Sequence, residues 1–274
     1  MKSEASPGRH RAMSKRLRRR VLEMTHRANS SHVGSCLSAI DILSVLYGGI
    51  LRIDPKDPKN ARRDRFILSK GHAAAALYAA LAESGHISVK SLEGFCVNGT
   101  DLAGHATSGV PGVEVSTGSL GHGLPIACGM ALAGSRGRQR FRVFALLSDG
   151  ECDEGSTWEA ALFAGHNRLE NLAVIVDYNK IQSFGRVREV MDLEPLADKW
   201  RTFGWHTIEI DGHDTCQIEA ALERLPAEPG KPTCIIAHTV KGKGVSYMED
   251  RLEWHYKSPN KQQLRSALSE LGAG

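Results

Sequence analysis

Apolar positions along this chain recur with two different periods. Met13, Leu17, Val21 and Met24 follow a helical spacing through the basic stretch "RHRAMSKRLRRR", which predicts an amphipathic helix with its arginines on the solvated face. Further on, short apolar runs alternate with helical segments of about a dozen residues. "RFILS" (65–69), "FRVFALLS" (141–148), "NLAVIVDYN" (171–179), "WHTIEIDG" (205–212) and "TCIIAHT" (233–239) read as strands. "HAAAALYAALAES", "STWEAALFAGHNRL" (156–169) and "DTCQIEAALERL" read as the helices that follow the first, second and fourth of them. That alternation predicts βαβ units and an α/β fold: a doubly wound, mostly parallel sheet with helices on both faces. "PAEPGKP" (226–232) is a turn, and no repeat or low-complexity linker divides the chain, so residues 1–274 are expected to form a single domain. Ligands of such sheets bind at the carboxyl ends of the strands.

Composition changes this picture little. Hydrophobic residues make up 41% and charged residues 24% of the 274 positions, which fits a folded globular protein. The net charge of +4 comes largely from the N-terminal helix, and without aromatic interleaving it does not indicate nucleic-acid binding. The six cysteines (Cys36, Cys96, Cys128, Cys152, Cys216, Cys234) form no CxxC pair, so a thiolate metal site and a disulfide framework are not expected, and a reducing, cytoplasmic location is. No run of about 18 apolar residues is present, so no membrane span is expected. The basic N-terminus has no apolar segment behind it and is not a secretory signal.

The chemistry gathers at two strand ends. "LLSDGECDEG" (146–155) places Asp149, Glu151, Asp153 and Glu154 within six positions, and like charges this dense call for compensating positive charge. Asn179 ends the next strand, 30 residues after Asp149. A single helix separates the two, so both ends can open onto one edge of the sheet. A carboxylate and an amide carbonyl are hard oxygen ligands suited to Mg²⁺ or Ca²⁺, and Mg²⁺ completes its octahedron with waters and phosphates. Gly150 lets the backbone approach a phosphate closely. Taken alone, Asp149 could equally cap the loop and Asn179 could serve a turn. Together they point to a divalent ion carrying a diphosphate.

"SDGE" followed after one helix by "DYNKI" resembles the thiamine diphosphate motif, and further blocks narrow the resemblance to transketolases. These are "RRRVLEMTHRANSSHVGSCLSAIDILSVLY", "ILSKGHAAAALYAAL", "GHATSGVPGVEVSTGSLGHGL", "DEGSTWEAALFAGHNRLENLAVIVDYNKIQ" and "HTVKGKGVSYMEDRLEWHYKSPN", in that order. The likeness covers roughly residues 15–270. Two positions depart from the family pattern: Ser148 replaces the glycine before the motif aspartate, and "SHVG" (31–34) replaces GHPG.

The resemblance implies the thiamine diphosphate-binding fold and a role for particular residues. Asp149, Asn179 and the Ile181 carbonyl would hold Mg²⁺ or Ca²⁺. Gly150 and His72 would contact the diphosphate, and Gly118, Ser119 and Leu120 of the glycine-rich "STGSLGHG" would lie around the cofactor rings. Glu154 would face a subunit interface near the cofactor. His32 and His255 would move protons and bind hydroxyls, and His105 would bind the donor's terminal hydroxyl. Imidazole suits this work because it titrates near neutral pH. The other histidines, including His122 and His213, receive no role.

Everything recognised belongs to the diphosphate-gripping half of such an enzyme, and the chain stops after "NKQQLRSALSELG". The expectation is therefore the N-terminal subunit of a split transketolase, moving a two-carbon ketol unit from a ketose (phosphate) to an aldose (phosphate). It would be active only with a C-terminal subunit carrying the pyrimidine-binding domain, in an α2β2 assembly. The competing readings are a subunit of another thiamine diphosphate enzyme, of the deoxyxylulose-phosphate synthase or 2-oxoacid dehydrogenase type, and a non-catalytic cofactor-binding or regulatory subunit.

Overall fold

The computed structural model describes residues 6–137 and 140–272. The chain opens on α1 (Ser6–Ala28), and Met13, Leu17, Val21 and Met24 all lie in the core, as their spacing predicts. Two six-residue helices follow, α2 (Val33–Ser38) and α3 (Ile40–Val45). Strand β1 (Arg65–Leu68) leads into α4 (Ala74–Glu83), and a long irregular segment then reaches α5 (Gly123–Arg136). After that, strand and helix alternate: β2 (Val143–Ser148), α6 (Gly155–His166), β3 (Leu172–Tyr178), α7 (Val187–Val190), α8 (Leu196–Thr202), β4 (His206–Asp211), α9 (Thr215–Glu223), β5 (Thr233–His238) and α10 (Lys261–Glu270).

All five strands are parallel, in the order β1-β2-β3-β5-β4. The three central strands, β2, β3 and β5, are almost wholly buried because both sheet faces are covered there, whereas the edge strand β4 mixes buried, half-buried and exposed positions. Phe144 and Leu146 pack into one core with α1 to α4 and α9. Val143, Ala145 and Leu147 alternate into a second core with α5, α6 and α8. The doubly wound parallel sheet expected from the sequence is the fold observed. The strand expected over 141–148 starts only at Val143, because the Arg142 backbone N–H donates to Asp64 Oδ1 at 3.2 Å and not to a neighbouring strand. The register pairs Ser148 with Asp177, so the residues just beyond, Asp149 and Asn179, leave neighbouring strands on one edge.

Candidate active site

That edge forms the floor of a cleft of about 360 Å³, a volume typical of small-molecule sites. Its walls come from the turns after β1, β2, β3 and β5, from the start of α2, and from a short 3-10 turn over Leu252–His255. Of the twelve site residues expected from sequence, His32, His72, His105, His255, Gly118, Leu120, Asp149, Gly150, Glu154, Asn179 and Ile181 line it directly. Ser148, the departure within the motif, lines it too. Ser119 is exposed and stands outside the lining.

The acidic loop is compensated group by group. Glu151 is fully buried and accepts from Ser69 Oγ, from Ser148 N at 3.0 Å and from Gly121 N at 3.1 Å. Burial still raises its pKa above the ordinary value, against those donors. Gly121 must be glycine here: its φ is +77°, and a Cβ would lie 2.4 Å from Ser156 Oγ. Asp153 accepts from Gln182 Nε2 at 2.9 Å, while Glu154 is exposed on the cleft rim. Asp149 is buried and accepts two backbone N–H bonds, from Gly150 at 2.8 Å and from Lys180 at 2.7 Å. Burial and the nearby Asp177 nonetheless push its carboxyl up to about 6. Lys180 holds a left-handed φ of 67° between Asn179 and Ile181, a strained conformation at the point where two expected donors adjoin.

The compensating cations were not legible in the sequence. Lys70 and Lys241 are both buried. Lys70 is ion-paired with Asp177, which also accepts from Ser38 Oγ (2.6 Å) and from Thr239 Oγ1. Burial raises the Asp177 pKa, but Lys70 and these hydrogen bonds outweigh it and hold the group below its ordinary value. Lys241 makes no ion pair among the described residues; its Nζ donates to the Ile181 carbonyl at 2.8 Å and meets His255 Nδ1 at 2.9 Å. Burial lowers Lys241 to about 8, with Asp149 opposing that shift. Asp149 and Lys241 thus both move toward neutrality, so burial is the larger effect on each. Asp177→Ala would leave Lys70 buried without its counter-charge. The expected cost is about 3–5 kcal/mol, seen as a Tm lower by roughly 10 °C; a change of less than about 2 °C would show that the pair has no such role.

The four histidines named from sequence converge. His32 is central, with ring centroids 5.3 Å from His72, 5.7 Å from His105 and 5.1 Å from His255. It holds a left-handed φ of 73° immediately before α2, and its N–H donates to the His255 carbonyl at 2.8 Å. Burial, then His105, then the ammonium groups of Lys241 and Lys70, lower His32 to about 4. Burial and Lys241 lower His255 to about 3. Burial and Lys70 hold His72 well below its ordinary value, and its Nε2 lies 2.8 Å from Ser35 Oγ. Gly118 packs against His105, where a Cβ would lie 3.1 Å from the ring. At neutral pH, His32, His72 and His255 are therefore neutral imidazoles, each able to donate at one nitrogen and accept at the other.

One carboxylate, one amide and one backbone carbonyl share a cleft wall with two buried oxygens, Ser148 Oγ and Asp153 Oδ1, that have no hydrogen-bond partner among the described residues. This all-oxygen set fits a hard divalent cation that keeps water and phosphate ligands. No group of three or more His, Cys, Asp or Glu side chains among the described residues is arranged to hold a metal on its own.

Comparison with known proteins places the whole chain. The family model described as "Transketolase, thiamine diphosphate binding domain" matches residues 9–273. An apulose-4-phosphate transketolase subunit of Phocaeicola vulgatus is 40% identical over 258 residues, covering 94% of this chain and 92% of that protein. The 6-deoxy-6-sulfo-D-fructose transketolase subunit SqwG of a Clostridium species is 42% identical over 256 residues, covering 93% of each. Among solved structures, Campylobacter jejuni transketolase superposes with a TM-score of 0.90 at 31% identity, over 98% of this chain and 43% of that one. The chain thus spans about two fifths of that transketolase and nearly the full length of the two named subunits.

Proposed function

The chain belongs to the transketolase family as a thiamine diphosphate-binding domain, and from that premise we propose that it is the diphosphate-gripping subunit of a two-subunit transketolase. The observation that carries this reading is a cluster of neutral histidines sharing one cleft with Asp149 and Asn179. A pure binding module has no evident need of such a cluster.

Residues 1–274 act as one domain in this reading. Asp149, Asn179 and the Ile181 carbonyl hold Mg²⁺ or Ca²⁺. Gly150, His72 and Lys241 face the diphosphate, with Lys241 suited to it as a buried cation that has no carboxylate ion-pair partner among the described residues. Gly118 and Leu120 flank the cofactor rings, and Ser119 has the weakest claim to a contact. Bound there, thiamine diphosphate supplies a carbon nucleophile and an electron sink for the two-carbon fragment. His32 and His255, neutral at working pH, take protons from sugar hydroxyls and return them. His105 binds the terminal hydroxyl of the donor.

The substrates are a ketose or ketose phosphate and an aldose or aldose phosphate. In this reading a C-terminal subunit supplies the pyrimidine-binding half, in an α2β2 complex. Two observations support a partner: similar proteins of this length are named as subunits, and Ile126 on α5 and Leu162 and Phe163 on α6 are exposed apolar side chains. Among the described residues no helix is long and apolar enough to cross a membrane; the proposed location is the cytoplasm.

The test is reconstitution. The tagged chain is purified from its own cells with whatever co-purifies, and each component is assayed separately and together with thiamine diphosphate and Mg²⁺. Ketol transfer is expected only from the mixture, with at least 10³-fold less from this chain alone. Full activity of the isolated chain would overturn the split-enzyme reading.

A further inference from the structure

We propose that Arg18, Asp41 and His213 form a buried positioning unit that sets the turn over residues 240–243 and, through it, the Lys241 ammonium in the cleft. The turn leaves β5 at the carboxyl edge of the sheet. Its first residue, Val240, donates its N–H to His213 Nε2 at 2.8 Å. An amide N–H only donates, so Nε2 is the acceptor and the ring proton sits on Nδ1. That nitrogen lies 2.9 Å from Asp41 Oδ2 and donates to it. Asp41, on α3, is buried and receives both terminal nitrogens of the Arg18 guanidinium from α1. The remaining guanidinium nitrogen, Nε, donates to the Lys243 carbonyl at 3.0 Å.

One ion-paired unit therefore holds both ends of the turn that carries Lys241. The middle of the turn is also committed. Gly242 has φ +80°, and a Cβ there would lie 2.3 Å from the Met248 carbonyl. Gly244, just beyond, has φ +91°, and a Cβ would lie 2.9 Å from Arg18 Cδ. None of the three unit residues lines the cleft. A buried ion pair is a weak source of net stability compared with apolar packing, so its stability alone does not account for the arrangement. Its geometry does: the Val240 N–H and Lys243 carbonyl are fixed from outside the cleft, and Lys241 can then reach Ile181 and His255 with no carboxylate ion-pair partner among the described residues.

Two measurements test this, and only the second rests on the proposed function. First, the full chain is treated with an amine-acylating reagent, and modification of each lysine is followed by peptide mass spectrometry. His213→Ala is expected to raise the rate at Lys241 at least 5-fold and to leave Lys70 unchanged, since Lys70 is equally buried but held by Asp177. His213→Gln keeps a carbonyl that can accept from Val240 and should recover most of the protection. Second, thiamine diphosphate with Mg²⁺ is titrated into the complex with the partner subunit. His213→Ala should weaken binding about 10-fold, with His213→Gln in between. Unchanged labelling of Lys241 in both variants would overturn the proposal, as would a parallel rise at Lys70 and Lys241, which marks general loosening. A wild-type complex that binds no cofactor would overturn the functional reading, and labelling would still decide the positioning unit.

Discussion

Asp149→Asn is expected to abolish cofactor binding while leaving the cofactor-free protein as stable as the wild type or slightly more so. The two halves of this result have one cause. Asp149 is a buried carboxylate beside Asp177, and its pKa is raised from 3.8 to about 6. A group raised on folding contributes stability that is present below its unfolded value and is lost as pH rises through the folded value. Between pH 4 and 6 the folded protein therefore loses stability through this site, on the order of 3 kcal/mol by neutral pH. An amide of the same shape removes that cost. Its single oxygen can still accept the Lys180 N–H, but its NH₂ group then faces the Gly150 N–H, and it no longer attracts Lys241; both limit the gain. The same substitution removes the one anionic oxygen ligand in the proposed metal set, and an affinity loss of about 10³-fold or more is expected for thiamine diphosphate with Mg²⁺. Calorimetric titration of the two-subunit complex reads the binding, and a thermal melt without cofactor reads the stability. Binding within 10-fold of wild type would remove Asp149 from the metal site. A melt more than about 5 °C lower at pH 7.5 would show that the carboxylate is a structural cap instead.

Asp149 and Asn179 were legible in the sequence because each ends an apolar run, and strand ends are where a parallel sheet presents its ligands. The spacing across one helix was enough to place them side by side. Asp177 was not legible, although it lies two residues from Asn179. A single acid at the end of "VIVDYN" looks like a strand terminus, and its counter-charge, Lys70, is 107 residues away on the turn after β1. Lys241 stayed hidden for the same reason: nothing local distinguishes it from a surface lysine in "TVKGKG". Helices α2 and α3 have six residues each, less than two turns, so a 3.6-residue period cannot establish itself. His32 and His255 are joined only by tertiary structure, through a backbone hydrogen bond across most of the chain. Their grouping came from resemblance to a family, and no periodicity would have supplied it.

His32→Ala is expected to lower kcat/KM by about 10²–10³-fold with cofactor affinity changed by less than about 3-fold. The protonation state of the cluster sets this outcome. His32 is lowered to about 4 and His255 to about 3, by burial first and then by charged and imidazole neighbours, with Lys241 acting on both. An imidazole lowered in this way is neutral across the working range and can accept a hydroxyl proton as soon as a sugar binds. The acid limb of the kcat profile should therefore fall well below pH 6.5. It should move upward in Lys241→Met, assayed at saturating cofactor, because that change removes a positive charge acting on both rings. The same shifts set a stability signature. Groups lowered on folding contribute stability that is present above the unfolded value of 6.5 and is lost as pH falls toward the folded value. Between pH 6.5 and 5 the cluster should cost on the order of 1 kcal/mol per ring after allowance for partial exposure. His32→Ala should thus lose less stability than wild type on acidification over that window, even though it is the less active enzyme. A variant with wild-type kcat/KM would remove His32 from proton transfer. One that loses activity in step with cofactor affinity would make it a binding residue only.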